Sequence, residues 1–355
     1  MRIGLIGLQG SGKTTVFNAL TKMEAPVAPY RKGRVEPNIA VLRVLDERVD
    51  RLSKIYNPRK TIYATIELVD FTGLAENGGR GESFSATAMV SIKTMDALIA
   101  VVRNFEDAYQ DSAEPLKELH YIGEELILSD LMMMENLLER IETGRKRGQG
   151  TEDIINQEQT VRRILEALNC NRPVREMVLS HEEEKAIRGF QCVTKKPLMV
   201  ILNSDEKGYG KSPAVVAEIS KKYAVMEFAG KFEMELSGLD DEESSLFRED
   251  LGIEESAGRR LTTLAHATLG YISFFTVGPD EVRAWNVRDG GTALDAASTI
   301  HSDLAKGFIR AECFSCEDCL RCGSEKGIRE NGLFRLEGKD YRVQDGDILN
   351  IRFNV

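Results

Sequence analysis

No apolar run in the chain is long enough to span a bilayer, which argues against a helical membrane protein. Positive charge is scarce. Against 57 Asp and Glu stand 47 Lys and Arg, and the formal net charge of −10 speaks against bulk affinity for nucleic acid. Contact with RNA would need a local basic patch. No base-reading motif is visible, so such contact would be structural rather than sequence-specific. The opening Met1-Arg2-Ile3-Gly4 has the charge of a signal peptide, but its apolar stretch turns at once into a glycine loop. A cytoplasmic location is expected. Of six cysteines, Cys170 and Cys192 are isolated and read as small, partly buried residues of a reducing compartment.

What is present is ordinary in amount, with 42% hydrophobic and 29% charged residues, as in a globular protein. A length of 355 residues exceeds what one core organises, so two or three domains are expected. Residues 7–14 read Gly-Leu-Gln-Gly-Ser-Gly-Lys-Thr and follow directly on the apolar run Ile3–Ile6. This is the Gly-x4-Gly-Lys-[Ser/Thr] phosphate loop, placed between a strand and a helix. Gly10, Ser11 and Gly12 let the backbone wrap phosphate oxygens, and Lys13 would reach the β- and γ-phosphates. The Thr14 hydroxyl would sit on Mg²⁺, and Thr15 continues the helix start, whose positive dipole end faces the anion. Asp70-Phe-Thr-Gly73 follows a second strand. Asp70 would hold Mg²⁺ through water, and the Gly73 N–H would sense the γ-phosphate.

The base-reading element should end a later strand. Pro197–Leu202 is that strand, and Asn203-Ser-Asp-Glu206 follows it. GTPases use Asn-Lys-x-Asp there. With Ser204 for Lys and Glu206 for Asp, the carboxylate moves by about one methylene and the bidentate grip on guanine is compromised. Ala229-Gly230-Lys231 resembles the loop that supports the base.

Ile3–Ile6, Thr65–Val69, Ala97–Val102 and Pro197–Leu202 alternate with helical patterns, which predicts a doubly wound, mostly parallel α/β sheet. Between residues 116 and 189, apolar residues recur at three- and four-residue steps, Leu119 to Ile141 and then Ile154 to Leu168. A polar turn, Gly144–Gly150, separates them, which predicts an inserted helical hairpin or short coiled coil. Met132–Met134 read as core filling. From residue 271, short strand-like runs (Ile272–Val277, Val282–Trp285, Arg335–Leu336, Tyr341–Val343, Ile348–Phe353) and one helix, Thr292–Leu304, predict a β-grasp-like module. The domains are therefore 1–115 with 190–270, 116–189, and 271–355.

In its motifs the chain resembles the Obg-like ATPase family of the YchF type. The resemblance rests on Phe17-Asn-Ala-Leu-Thr21, Val35-Glu-Pro-Asn38, the Asn-x-x-Glu at 203–206 and Val282-Arg-Ala-Trp285. It rests most on Lys306-Gly-Phe-Ile-Arg-Ala311, Leu336-Glu-Gly-Lys-Asp-Tyr341, Val343-Gln-Asp-Gly-Asp347 and Arg352-Phe-Asn-Val355. The resemblance covers nearly the whole chain. It implies a C-terminal TGS-like domain, binding and hydrolysis of ATP with GTP as a poorer ligand, and association with the ribosome; slow turnover is expected from the departures that follow, and the protein is expected to be a monomer. One feature shared with the family and three departures from it bear on catalysis. Leu74, apolar as in the family, cannot orient water. Gln9-Gly10 replace the usual Pro-Asn, which puts cation activation in question. Arg34 stands where a Thr is usual; it is either a built-in arginine finger or an exposed loop charge. The loop 106–114 lacks the family's His, and His120 on the following helix reads as a surface or core residue.

Cys313, Cys316, Cys319 and Cys322 form Cys-x2-Cys-x2-Cys-x2-Cys. Three readings stand: a zinc or iron–sulfur site, redox-active thiols, or reduced structural residues. Arg145-Lys146-Arg147 at the hairpin tip, with Arg162 and Arg163, are either an rRNA contact or a charge-balanced solvated face. The leading function is a ribosome-associated ATPase with Mg²⁺. Its rivals are a GTPase of the same mechanism and a non-catalytic, redox-sensing adaptor.

Overall fold

Aliphatic and β-branched runs set the strands, and their burial shows which are covered on both faces. In the computed structural model, residues 1–23, 37–71, 86–107, 111–147, 151–239, 241–253 and 255–354 are described. Their strands are β1 (Arg2–Ile6), β2 (Asn38–Val44), β3 (Lys60–Ile62), β4 (Ala64–Asp70), β5 (Ala97–Asn104), β6 (Leu198–Ser204), β7 (Ala224–Ala229), β8 (Tyr271–Val277), β9 (Glu281–Arg288), β10 (Phe308–Ser315), β11 (Arg335–Glu337) and β12 (Asp347–Phe353). The helices are α1 (Lys13–Thr21), α2 (Glu47–Tyr56), α3 (Ala86–Lys93), α4 (Pro115–Lys146), α5 (Glu152–Asn169), α6 (His181–Ile187), α7 (Pro213–Ser220), α8 (Gly230–Leu236), α9 (Asp241–Asp250), α10 (Ala257–Leu269), α11 (Ala293–Ile300), α12 (Ser302–Lys306), α13 (Cys316–Cys322) and α14 (Glu325–Glu330). Among the described residues no helix is long and apolar enough to cross a membrane.

The chain divides into two compact units, Met1–Ala40 with Glu67–Gly258 and Val41–Ile66 with Arg259–Val355. The first sheet has the order β2-β4-β1-β5-β6-β7. β1 lies parallel to β4 and β5, β5 to β6, and β6 to β7. The unbroken apolar runs of β5 and β6 are buried along their length, as expected for central parallel strands covered on both faces. Leu119, Ile122 and Leu126 of α4 press onto one face beside Ile6, Val69, Leu98, Val102 and Val200.

The 32-residue α4, about 48 Å long at the helical rise, outruns the sheet. Past Leu126 it pairs with α5, and Met134, Leu137 and Ile141 meet Val161, Ile164 and Leu168. Where α4 leaves the sheet, Asp130 is fully buried. Its carboxylate accepts from Val193 N at 3.0 Å, Thr194 N at 2.8 Å and Thr194 Oγ1 at 2.6 Å. All three donors lie just before β6, so the carboxylate fastens the helical pair to the sheet. The hairpin is as predicted in kind, but Gly144 and Arg145 lie inside α4, and 148–150 are outside the described residues. Met134 is core, whereas Met132 is 58% exposed, because the two are half a turn apart on α4.

In the second unit the sheet runs β11-β10-β12-β8-β9-β3. β10 is antiparallel to β11 and β12, and β8 to β9. β12 and β8 are parallel, as are β3 and β9. Two expectations are corrected, and one strand goes beyond them. The predicted helix Thr292–Leu304 is two helices, because His301 is extended and its Nδ1 accepts from Asp303 N at 3.2 Å, capping a new start. Tyr341–Val343 is no strand and contributes only a single bridge, Thr292 to Arg342. β10, which carries Cys313, was not foreseen as a strand.

Candidate functional site

The loop after β1 is built from glycine geometry. Gly12 has φ 84° and a Cβ there would lie 2.2 Å from Asn203 Nδ2, so only glycine fits. It caps α1 with no side-chain hydrogen bond, and the first turn of α1 carries no acid. The first N–H groups of a helix have no intrahelical acceptor, so this end presents donors and a positive dipole to an anion. Lys13 Nζ donates to Gly7 O at 2.7 Å and Leu8 O at 2.8 Å, which holds the ammonium over the same loop. Ser11 is buried, and its Oγ has no hydrogen-bond partner among the described residues.

Asp70, the last residue of β4, is fully buried beside this loop. Its Oδ2 accepts from Thr14 Oγ1 at 3.0 Å and from Asn38 Nδ2 at 3.2 Å. Its Oδ1 has no partner among the described residues. Burial pushes the carboxyl up, while Asn38, Lys13 and Thr14 pull it back. A buried carboxylate oxygen without a donor, next to a hydroxyl, is the hard-oxygen donor set that suits Mg²⁺. The residues present therefore fit that cation.

Asn203, at 3% exposure, is the next-to-last residue of β6 and is spent on positioning. Its Nδ2 donates to Ser11 O at 2.9 Å, and its Oδ1 accepts from Gly230 N at 3.1 Å. The amide thus clasps the phosphate loop to the start of α8. Ala229 is fully buried, and a Cβ on Gly230 would meet Asn203 Oδ1 at 2.5 Å. Ser204 is buried and donates to Glu227 Oε1 at 2.7 Å, whereas Glu206 is exposed on the following loop.

Sequence reasoning missed Asn38 as an Asp70 partner, and it missed Arg103. Arg103, at 5% exposure, shares a sheet face with Asn203 by register. Its backbone N–H donates to Glu118 Oε2 at 3.0 Å, and Nη2 donates to Asp111 O at 2.6 Å. Nη1 has no partner among the described residues. The signal was an Arg near the end of an otherwise apolar strand. Gly73, Leu74 and Arg34 lie outside the described residues. His120 is on the surface of α4, 3.2 Å from Glu124.

The cysteine row does not converge. Cys313 points into the second unit's core from β10, with Sγ 3.2 Å from Arg335 Nη2. Cys316, Cys319 and Cys322 lie on α13, and three-residue steps rotate each about 60° from the last. Among the described residues no three His, Cys, Asp or Glu stand where they could hold one metal ion. The zinc or iron–sulfur expectation is thus not supported. Arg145, in the last turn of α4, pairs with Glu158; along α5, Arg162 pairs with Glu142 and Glu158, and Arg163 with Glu183 of α6. Each of these arginines is thus ion-paired to a neighbouring helix or to its own.

Two family models match the chain: a 50S ribosome-binding GTPase model over residues 2–137, and a YchF GTPase C-terminal model, described as a protein of unknown function, over residues 271–354. The ribosome-binding ATPase YchF of Haemophilus influenzae is 39% identical over 100% of this chain and 99% of that protein. The chain belongs to the YchF family. The YchF protein of the same name from Bacillus subtilis is 35% identical over 99% of both chains. A solved structure, the Schizosaccharomyces pombe YchF GTPase, superposes with a TM-score of 0.85 at 26% identity, over 99% of this chain and 97% of that one. The P-loop GTPase fold of the first unit is thus the fold of YchF proteins.

Proposed function

We propose that this chain is a ribosome-associated P-loop nucleotidase that binds and hydrolyses ATP with Mg²⁺. The observation that carries the reading is Asp70, buried with one oxygen unpartnered beside Thr14 and the phosphate loop. In this reading Thr14 and Asp70 hold Mg²⁺, which neutralises charge on the phosphates when bound. Gly10, Ser11, Gly12, Lys13 and Thr15 cradle the phosphates, and Lys13 takes up charge that develops on the γ-phosphoryl group. Asn203, Ala229 and Gly230 fix the floor under the base, with Glu206 at its rim, and Gly73 reports the γ-phosphate. The relatives named for ribosome binding and ATPase activity support this assignment. The nucleotide-binding domain would comprise 1–115 and 190–270, less 41–66 and 259–270, which belong to the second compact unit. The helical pair 116–189 and a TGS-like module 271–355 would carry its state to the ribosome in the cytoplasm.

A GTPase of the same mechanism is the second reading, favoured by the names of the matching family model and of the solved structure. Against it, Ser204 and Glu206 replace the Lys and Asp that grip guanine. Competition of ATP and GTP for the purified protein, followed by single-turnover hydrolysis with and without ribosomes, tests both. Tighter ATP binding with phosphate release supports the proposal. Tighter GTP binding supports the rival, and absence of phosphate release in all cases overturns both.

A further inference from the structure

Helix α13 places three thiols in seven residues, and their surroundings differ. Ser315 caps its start, accepting from Asp318 N at 3.0 Å, and Cys316 N is tied to Gly346 O at 2.7 Å. Cys316 and Cys319 are buried at 2% and 0% exposure. Cys319 Sγ lies 3.6 Å from the hydroxyl of Tyr56, the last residue of α2. Cys322 is different. It is the last residue of α13 and only half-buried. Behind it Gly323 turns at φ 70°, with nothing within 4 Å of where a Cβ would be.

Residues three apart on a helix have Cβ atoms about 5–6 Å apart. A disulfide needs about 3.8 Å. Closing one across a single turn therefore requires the backbone to give. The capped, buried first turn at Cys316 resists that movement. The last turn, ending in a left-handed glycine, permits it.

We propose that Cys322 and Cys319 are a thiol pair which a low-molecular-weight disulfide oxidises to an intramolecular disulfide, unwinding the end of α13 and withdrawing Cys319 from Tyr56. The Cys322 thiolate attacks one sulfur of the external disulfide, forming a mixed disulfide and expelling one thiolate. Cys319 then attacks the Cys322 sulfur and expels the second. Two protein thiols lose two electrons and two protons in total, and the external disulfide becomes two thiols. Burial pushes the Cys319 thiol above its ordinary value, so its attack is the slow step and quickens with rising pH. This chemistry requires no nucleotide and goes beyond the proposed activity.

The sequence supplies a clean readout. Trypsin cuts after Arg310, Arg321 and Lys326, so Cys322 falls on peptide 322–326 and the other three row cysteines on 311–321. The full-length protein is treated with oxidised glutathione at mildly alkaline pH, quenched with acid, alkylated and digested. The expected products are peptides 311–321 and 322–326 joined by a disulfide, with the other two cysteines of 311–321 still alkylated. The C322S variant, altered at a half-buried site, should keep Cys313, Cys316 and Cys319 as thiols. Hydrogen exchange of 47–56 should rise on oxidation. A disulfide confined to 311–321, a glutathione adduct on Cys322 that never resolves, or protection of 47–56 unchanged by the linkage would overturn the proposal.

Discussion

Two aspartates, one in each compact unit, are equally buried and differently used. Asp70 is 0% exposed and Asp347 2%. Asp347, at the start of β12, has both oxygens engaged. Arg335 Nη2 lies 3.3 Å from Oδ1, while Tyr341 OH at 2.8 Å and Gln344 N at 2.9 Å donate to Oδ2. Asp70 has Thr14 and Asn38 on one oxygen and, among the described residues, nothing on the other. A buried charge must be neutralised or hydrogen-bonded. Asp347 meets that condition within its own unit and so reads as scaffold. Asp70 meets it only in part, and its unmet half is where the proposed Mg²⁺ would sit. The contrast separates a site from a structural network without reference to any relative.

The largest effect should come from Lys13→Ala. Removing the charge aimed at the phosphates should lower hydrolysis by at least about 100-fold, read by phosphate release. Retained turnover would detach the phosphate loop from the chemistry. Next, Asp347→Asn should cost about 2 kcal/mol in urea unfolding, because a charge-assisted network loses its acceptor. Asp70→Asn should move stability the other way by about 1 kcal/mol in metal-free, nucleotide-free buffer. The folded pKa of Asp70 is raised, so ionisation at neutral pH costs stability that the amide does not. If both variants shift in the same direction, the comparison of the two aspartates fails.

The smallest effect concerns Asp345. Burial works against its charge, but Arg48, with Nη1 2.6 Å away, and Ser273 N at 2.9 Å hold its carboxyl below the usual range. A depressed carboxyl contributes stability above its unfolded pKa, lost as pH falls through the folded value. Asp345 is half exposed, so Asp345→Asn should flatten the acid limb of unfolding below about pH 4 by only a few tenths of a kcal/mol.

The sequence was most legible where one period dominates. The continuous apolar runs of β1, β4, β5 and β6 and the spacing of α4 and α5 were readable because burial on one stripe or on both faces leaves a direct pattern. β2 was missed although Ala40, Leu42 and Val44 alternate inward with exposed Ile39, Val41 and Arg43. β3 has three residues, too few to show any period, and only its partner β9 makes it a strand. The break at His301 depends on one side chain accepting a backbone proton, which no periodicity signals. In the site, the glycines and Lys13 were legible because the loop is local. The clasp made by Asn203 and the fan of the cysteines were not, since they depend on tertiary approach and on helix rotation.

Calorimetric titration of Mg²⁺ and ATP into the intact protein and into Asp70→Asn tests the central claim most directly. The account predicts that chelating Mg²⁺ weakens ATP binding to the native chain about tenfold or more, and leaves binding to Asp70→Asn nearly unchanged. Equal dependence on Mg²⁺ in the two proteins would contradict it.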